Sequence, residues 1–242
     1  KDTAFDPISA GTAEIAVGVP AGFATPNAIQ RVVTVTVTAP ALTISNQTIG
    51  KDLEVQPTLW LGAPAPAGGL VVTLQSTDTS KVLLAPNGTA AGSPSITVTI
   101  PAGNSSASGF AIHALSDTGT ANVTASATGF ATTPNTITLA PSGFYNSSPG
   151  GNFTTTTFSA NTLFRVQAAR LSAAGFVQAN QEVRGGLTVN VPLTVTDVTG
   201  TNVGTMTVNP VVFSGGDSFK DTAFDPISAG SAQIAVGVRG GF

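Results

Sequence analysis

The chain has 242 residues, no cysteine, a formal net charge of −3 and only 9% charged residues. So few positive charges argue against a nucleic-acid partner, and the lack of cysteine excludes disulfides and thiolate metal sites. No uncharged apolar run reaches the length of about 18 residues that predicts a membrane span. Thr, Ser, Gly, Ala, Asn and Pro supply much of the remainder, a composition typical of β-strands joined by turns.

The sequence contains a long internal repeat. Residues 1–23 return as residues 220–242, at an offset of 219 positions, and we call these stretches the N-terminal and C-terminal copies. Of the 23 aligned positions four differ, and the N-terminal copy carries there Thr12, Glu14, Pro20 and Ala21. Residues 119–135 resemble residues 11–27 more weakly, which indicates two related domain types that alternate along the chain.

The first predicted strand covers residues 31–37 (RVVTVTV), where Val and Thr alternate at period two. Further strand-like runs, each bounded by turn-forming residues, follow at 42–45, 53–61, 70–76, 95–101, 109–115, 121–127 and 135–140. Together they have the size of one immunoglobulin-like sandwich. We therefore predict a complete domain of this kind, called A, at residues 41–140.

Strand patterns continue through the second half of the sequence. They cover residues 162–172, 176–183, 187–198 and 203–213. The first of these runs fits neither the strand period nor the helix period cleanly, and we favour a strand because its neighbours are strand-like. No segment has a helical period with caps. The sequence therefore predicts an all-β fold without significant helix.

The repeat determines the predicted domain organisation. Residues 141–242 are predicted to form a second domain, B, that lacks its last strands. Those strands correspond to residues 24–40, which follow the N-terminal copy. Residues 1–40 are therefore predicted to be the C-terminal strands of a preceding B domain. The B domain at 141–242 is predicted to be completed by the equivalent of residues 24–40 in the next repeat or subunit.

Three stretches of the A domain carry a resemblance to a known family. They are GLVVTLQSTDTSKVLLAP (69–86), SITVTIPAGNSSASGFAIHAL (95–115) and GTANVTASATGF (119–130). The order of strand, P-A-G-x-S-S, strand, G-T-A-x-V and strand resembles the tandem bacterial immunoglobulin-like domains of surface and secreted proteins. The resemblance implies tandem sandwiches and a location outside a prokaryotic cell or on its surface. The family includes adhesins, stalks, filaments and accessory domains of secreted enzymes.

Few residues offer catalytic chemistry. His113 is the single histidine, and its alternation with Ile112 predicts a strand residue on the solvent face. The three glutamates, Glu14, Glu54 and Glu182, are isolated in the sequence, so no paired-carboxylate site is indicated. The nucleophile-elbow, zinc-protease and phosphate-loop motifs are not found. The chain is therefore predicted not to be an enzyme.

Calcium is the one metal that the sequence suggests. Asp217, Asp221 and Asp225 recur every four residues and are the candidate ligands. Calcium takes six to eight oxygen ligands, but the compact D-x-D-x-D spacing is missing and Lys220 lies among the acids. We favour solvated carboxylates at turns, and no other cofactor is predicted.

Aromatic residues and sequons raise the question of glycans. Trp60 is predicted to be a buried core residue. Phe144, Tyr145 and Phe153 surround a Gly/Pro/Ser loop at the A–B boundary, and they either pack as an inter-domain hinge, which we favour, or form a small glycan-contacting patch. Six sequons could carry N-glycans in a suitable host: Asn46, Asn87, Asn104, Asn122, Asn146 and Asn152.

These observations favour a structural role. A diverged repeat of 219 residues is typical of extracellular stalks and filaments, joined either by covalent tandem repetition or by β-strand complementation between copies of the chain. The predicted head-to-tail junction between neighbours contains Phe5, Ile15, Val17, Val33, Val35, Val37, Phe224, Ile234 and Val236. The alternative is an adhesin or a carbohydrate-binding accessory module of a secreted protein.

Overall fold

The computed structural model of the chain describes residues 3–237. Strands make up 51% of it and helix 2%, so the predicted all-β fold without significant helix is confirmed. The single helix among these residues is the one-turn α1 (Ala28–Arg31), which begins where the Asn27 side chain accepts a hydrogen bond from the Ile29 N–H. Within the described range no helix is long and apolar enough to cross a membrane.

The N-terminal part of the structure is a two-stranded ribbon. Its strands are β1 (Gly11–Ala16) and β2 (Val32–Val37), with α1 between them. They pair antiparallel, with Gly11 opposite Val37 and Ala16 opposite Val32. The Val/Thr alternation of residues 31–37 thus forms a strand as predicted. We call this unit, residues 11–37, the exposed ribbon, because no further strand joins its sheet among the described residues.

The next part of the chain, up to residue 140, is built from short strands. They are β3 (Leu42–Ile44), β4 (Gln47–Gly50), β5 (Leu53–Val55), β6 (Leu59–Leu61), β7 (Leu70–Ser76), β8 (Val82–Ala85), β9 (Ser95–Ile100), β10 (Ser106–Ala107), β11 (Ala111–Ala114), β12 (Thr120–Ser126) and β13 (Thr133–Ala140). One sheet has the order β10-β6-β3 and another the order β4-β13-β12-β7-β9, in which only β4 and β13 are parallel. In β7 the apolar residues Leu70, Val72 and Leu74 are buried and alternate with exposed ones, as a half-buried strand requires.

The remaining strands follow residue 140. They are β14 (Ser142–Ser148), β15 (Thr162–Leu171), β16 (Val177–Asn180), β17 (Glu182–Val183), β18 (Thr188–Val191), β19 (Leu193–Thr199), β20 (Gly204–Met206), β21 (Val211–Ser214), β22 (Phe219–Pro226) and β23 (Ser231–Val236). The largest sheet of this part has the order β14-β15-β22-β20, with β16 also paired to β15. Two two-stranded sheets, β18-β21 and β19-β23, complete it. The strand expected at residues 162–172 is confirmed as β15.

The parts before and after residue 140 share a sheet and a core. β17 pairs with β5, so the fourth sheet has the order β17-β5-β11-β8. One cluster of buried apolar side chains includes Leu53 and Ile112 from the first part, and Val183, Val189 and Phe213 from the second. The predicted boundary at residue 140 is therefore crossed both by strand pairing and by side-chain packing.

The prediction for Trp60 is wrong. Its side chain is 53% exposed, whereas its neighbours Leu59 and Leu61 are buried. The three residues form β6, and the two-residue period of a strand places the central side chain on the opposite face from the other two. The two leucines face the core, so the indole faces solvent.

Candidate assembly interface

The two copies of the repeat have nearly the same sequence but different structures. Phe224, in the C-terminal copy, lies in β22 with only 5% of its side chain exposed, and its ring meets that of Phe153 edge-to-face at 5.8 Å between centroids. Its counterpart Phe5 lies outside any strand and is 47% exposed. Because residues 1–11 and 220–230 are identical, the surroundings decide the conformation.

The strand β23 is bound to the fold along one edge. It pairs antiparallel with β19, so that Val195 lies opposite Ile234. The Gly237 N–H donates a hydrogen bond to the Pro192 carbonyl at 2.8 Å. In an antiparallel strand the residues that point their backbone groups to one neighbour alternate with those that point them away. The residues at 233 and 235 therefore face β19 together with Gly237.

The equivalent strand β1 is bound along the opposite edge. The Val17 N–H donates to the Arg31 carbonyl at 2.9 Å, so by the same alternation Ala13 and Ile15 face β2 together with Val17. In the C-terminal copy these positions are Ala232, Ile234 and Val236. They are the residues of β23 whose backbone groups point away from β19. We call this side of β23 its outer edge.

The outer edge of β23 borders a groove of about 1110 Å³. Residues 230–235 and residues 150–157 both line it. Phe153, Phe164 and Phe224 contribute aromatic surface to it. Within the described chain β19 is the sole strand paired with β23, so the outer edge presents unpaired backbone groups to this groove.

The exposed ribbon buries almost nothing. All six residues of β1 are exposed, and Val33 in β2 is 61% exposed. Residues 3–37 contain a group of exposed large apolar side chains: Phe5, Ile8, Ile15, Val17, Phe23, Ile29 and Val33. Contiguous apolar patches on soluble proteins are often interaction sites.

The structure places the predicted junction residues in two separate groups. Ile15 lies opposite Val33 within the exposed ribbon, where Val35 and Val37 lie opposite Ala13 and Gly11. The other group is in the C-terminal part, where Phe224 is buried and both Ile234 and Val236 pack against the core. Val17 is exposed within the ribbon, and Phe5 is exposed before it in the chain. No described contact joins the two groups within one chain, so the junction between neighbours stays a prediction.

The three candidate calcium ligands have separate surroundings. Asp217 forms an ion pair with Lys220 at 2.9 Å, and Asp221 forms one with Arg165 at 2.7 Å. Hydrogen bonds from the Arg165 guanidinium lower the pKa of the Asp221 carboxyl below its ordinary value. Asp225 lies four residues further along β22, a span of roughly 13 Å in a strand. Among the described residues no three acidic or histidine side chains are grouped as a metal site.

The three candidate aromatic residues have three different partners. The Phe144 ring packs on Phe213 at 4.7 Å between centroids, and Phe153 packs on Phe224. The Tyr145 hydroxyl donates to Asn180 Oδ1 at 3.0 Å. Phe144 and Tyr145 alternate along β14 and therefore point to opposite faces of the sheet.

The prediction that His113 faces solvent is wrong. His113 and Glu54 lie opposite each other on β11 and β5, both side chains are fully buried, and His113 Nε2 is 2.8 Å from Glu54 Oε2. The Nε2–Oε2 distance is short, but the ring nitrogen lacks the geometry of a hydrogen bond to the carboxylate. β11 is buried on both faces, and its nearly unbroken apolar run FAIHAL was the signal for this in the sequence.

Residues after position 140 complete the surroundings of this buried pair. The Gly185 N–H donates to Glu54 Oε2 at 2.8 Å, and Arg184 Nε donates to Asp52 Oδ1 at 2.8 Å. Gly185 lies directly against the backbone of Ala90. These partners are more than a hundred residues apart in the chain, so no local pattern could reveal them. A substrate cannot reach His113 or Glu54, because neither side chain is exposed.

No protein-family model matches the sequence. No curated protein sequence matches it either. The assignment of a role therefore depends on the geometry of the repeat, the outer edge and the groove.

Proposed function

We propose that this chain is a structural repeat unit of an extracellular fibre, stalk or filament that assembles head-to-tail. One observation carries the proposal: nearly the same sequence is packed against the fold in β22 and β23 but is exposed in residues 3–16. The segment is packed in the C-terminal copy and exposed in the N-terminal copy. The exposed copy can therefore pack against a neighbouring unit. The abundance of exposed apolar side chains in residues 3–37 supports the same role.

In this proposal the modules are immunoglobulin-like sandwiches. The domains are A at 41–140 and B at 141–242, with residues 1–40 as the last strands of a preceding B domain. Support comes from the antiparallel, many-stranded sheets and from the sequence patterns that resemble bacterial immunoglobulin-like repeats. The proposed location is outside a prokaryotic cell or on its surface. A non-enzymatic role is supported by the complete burial of the single histidine, His113.

Head-to-tail assembly can be covalent or non-covalent. In a tandem polypeptide the next repeat follows in the same chain, whereas separate subunits would complete one another by strand addition. The mass of the intact polypeptide from its natural source, measured under denaturing conditions, separates the two. A mass near 24.0 kDa means separate subunits, and a mass several times larger means tandem repetition.

Electron microscopy of the purified full-length chain tests the proposed function. The proposal predicts filaments with a regular axial repeat, because a head-to-tail contact leaves one free interface at each end. Monodisperse single particles at every concentration tried would contradict it. A glycan array run on the same material tests the alternative function, which is described next.

The alternative function is that of an adhesin or carbohydrate-binding module. The observation in its favour is the exposed hydrogen bond between Tyr145 and Asn180, a phenol and an amide of the kind that sugars contact. The packing of Phe144 on Phe213 and of Phe153 on Phe224 counts against it, because these rings are engaged within the fold. Specific glycan binding that is lost in Tyr145→Ala, together with an absence of filaments, would favour this reading.

A further inference from the structure

We propose that residues 32–37 of a second copy of this chain add to the outer edge of β23 as an antiparallel strand, with Val33 of the second copy opposite Ile234. The inference rests on the proposed head-to-tail assembly and specifies the segment, the edge and the register of the contact. It is carried by the two hydrogen-bonding patterns of the repeated strand.

The first step concerns hydrogen bonding. β23 uses the edge of Gln233, Ala235 and Gly237 to bind β19, whereas β1 uses the opposite edge to bind β2. Because the two copies use opposite edges, one strand of this sequence can hold β19 and β2 at the same time. The pairing on the outer edge of β23 is therefore already visible within one chain, in the exposed ribbon.

The second step concerns the register. In the exposed ribbon Ile15 lies opposite Val33 and Glu14 lies opposite Thr34. Moved by the repeat offset of 219, Ile15 becomes Ile234 and Glu14 becomes Gln233. Directly opposite residues of a sheet point to the same face, so the register follows from the pairs observed in the ribbon.

The third step concerns the two faces of the added strand. Ile234 packs against the core, whereas Gln233 is exposed. In the proposed register Val33, Val35 and Val37 lie on the core side with Ile234. Thr34 lines up with Gln233 on the solvent side. The Val/Thr alternation of residues 33–37 is typical of a strand with one buried face. The exposed ribbon gives it no buried face.

The fourth step concerns space and charge. The groove beside β23 is lined by residues 230–235 and by residues 150–157. β2 and β23 contain no charged residue, because Gln233 replaces the glutamate of the N-terminal copy. No charged side chain of either strand would therefore be desolvated when they meet.

The fifth step concerns what the second copy gives up. To pair with β23, its β2 must leave its own β1. All residues of β1 are exposed, and an isolated two-stranded ribbon is only marginally stable in water. The exchange therefore replaces a pairing that buries little with one that lies beside an aromatic groove. Because the donor and acceptor segments differ, the contact is head-to-tail and propagates along a fibre.

Engineered cysteines test the register, since the chain has none of its own. Gln233 and Thr34 of the second copy would form a non-hydrogen-bonded pair, the arrangement in which opposite side chains are closest. A Gln233→Cys chain is mixed with an isotopically labelled Thr34→Cys chain under mild oxidation, and the mixed disulfide dimer is identified by mass. The control mixes Gln233→Cys with Val33→Cys, whose side chain would point to the other face. We expect the dimer from the first mixture and only background from the control.

A blocking variant completes the test. Ala232 points its N–H to the outer edge, so Ala232→Pro removes a donor there and leaves the pairing with β19 intact. Placed in the Gln233→Cys chain, it is expected to reduce the mixed dimer about tenfold. Equal cross-linking in the Val33→Cys control would overturn the register.

A sedimentation measurement separates this inference from the proposed function. Sedimentation of the unmodified chain reports assembly independently of the cysteines. Oligomers without the Gln233–Thr34 cross-link would overturn the docking mode and leave the structural role in place. Cross-linking of Ile15→Cys with Val195→Cys would also overturn it, because β1 would then have replaced β23. Chains that remain single at all concentrations would contradict both proposals.

Discussion

Single residues determine how closely the parts before and after residue 140 approach each other. Gly185 is buried against the backbone of Ala90, and its N–H binds Glu54. Glu54 in turn faces His113 within the interior. Adding one carbon at Gly185, or removing the carboxylate of Glu54, therefore changes contacts that are buried from solvent.

The first prediction concerns Gly185. In Gly185→Ala the new methyl group would overlap the Ala90 carbonyl oxygen, so we expect a loss of about 1–3 kcal/mol in the free energy of unfolding. Urea denaturation of the full chain measures it. Gly151→Ala is the control, because a Cβ at Gly151 would meet nothing within 4 Å. Equal losses in the two variants would show that the close approach at Gly185 is not present.

The second prediction concerns the buried pair. Glu54→Ala removes the partner of His113 and of the Gly185 N–H, and we expect it to cost about 3 kcal/mol or more. Glu182→Ala is the matched control, because Glu182 lies opposite Glu54 on β17 but forms an exposed hydrogen bond with Gln56. We expect that change to cost less than about 1 kcal/mol. Thermal and urea unfolding measure both, and similar values would argue against the buried pairing.

The third prediction concerns pH. Hydrogen bonds from Arg165 lower the pKa of Asp221 in the folded state. The pair therefore stabilises the fold above the unfolded pKa of about 3.9, and this stabilisation is lost as the pH falls through the folded-state pKa. Asp221→Asn should reduce the urea midpoint slightly near neutral pH, and this effect should shrink as the pH falls below the unfolded pKa. Asp225→Asn on the same strand is the control, and an effect of Asp221→Asn that did not shrink in acid would contradict the assignment.

At the scale of elements, the same short sequence forms different structures in the two copies of the repeat. Residues 222–226 are part of β22, whereas the equivalent residues 3–7 are outside any strand. β22 is held between β15 and β20, and no described strand flanks residues 3–7. Tertiary pairing, and not local propensity, therefore decides whether this segment is a strand.

The fourth prediction uses the two copies as matched controls. Phe224→Ala removes a buried ring that contacts Phe153, and we expect a loss of about 3 kcal/mol or more. Phe5→Ala changes the same residue in the same sequence but in an exposed position, and its effect should lie within about 0.5 kcal/mol in dilute solution. Urea unfolding at low protein concentration compares them. Equal losses would mean that the N-terminal copy is also packed within a single chain.

The elements also show which features could be predicted from sequence. Strands whose sequence has a two-residue period, such as β2 and β7, were predicted at their observed positions. The period predicts alternation but not which face is inside, and this is why Trp60 was misplaced. His113 was misplaced because its side chain is enclosed by Glu54 on the neighbouring strand and lies close to Gly92, and neither contact is visible in a local pattern. The outer edge of β23 could not be predicted, since backbone direction leaves no mark on side-chain patterns.

At the scale of the whole molecule, the chain presents a donor and an acceptor at different places. The donor is β2 in the exposed ribbon, and the acceptor is the outer edge of β23 with its groove. A contact between two different surfaces does not close into a symmetric dimer by itself, so it continues into a fibre or a ring. Unpaired strand edges are avoided in soluble monomers because they associate. We therefore infer that the edge is kept for assembly.

Amide hydrogen exchange of the full-length chain, compared between dilute and assembled samples, tests this account most directly. In the dilute chain the amides of Ala232 and Ile234 point away from β19 and should exchange quickly, whereas the Ala235 amide, which faces β19, should be protected. On assembly the account predicts that the first two become protected and that Ala235 changes little. Fast exchange of Ala232 and Ile234 in fully assembled material would contradict it.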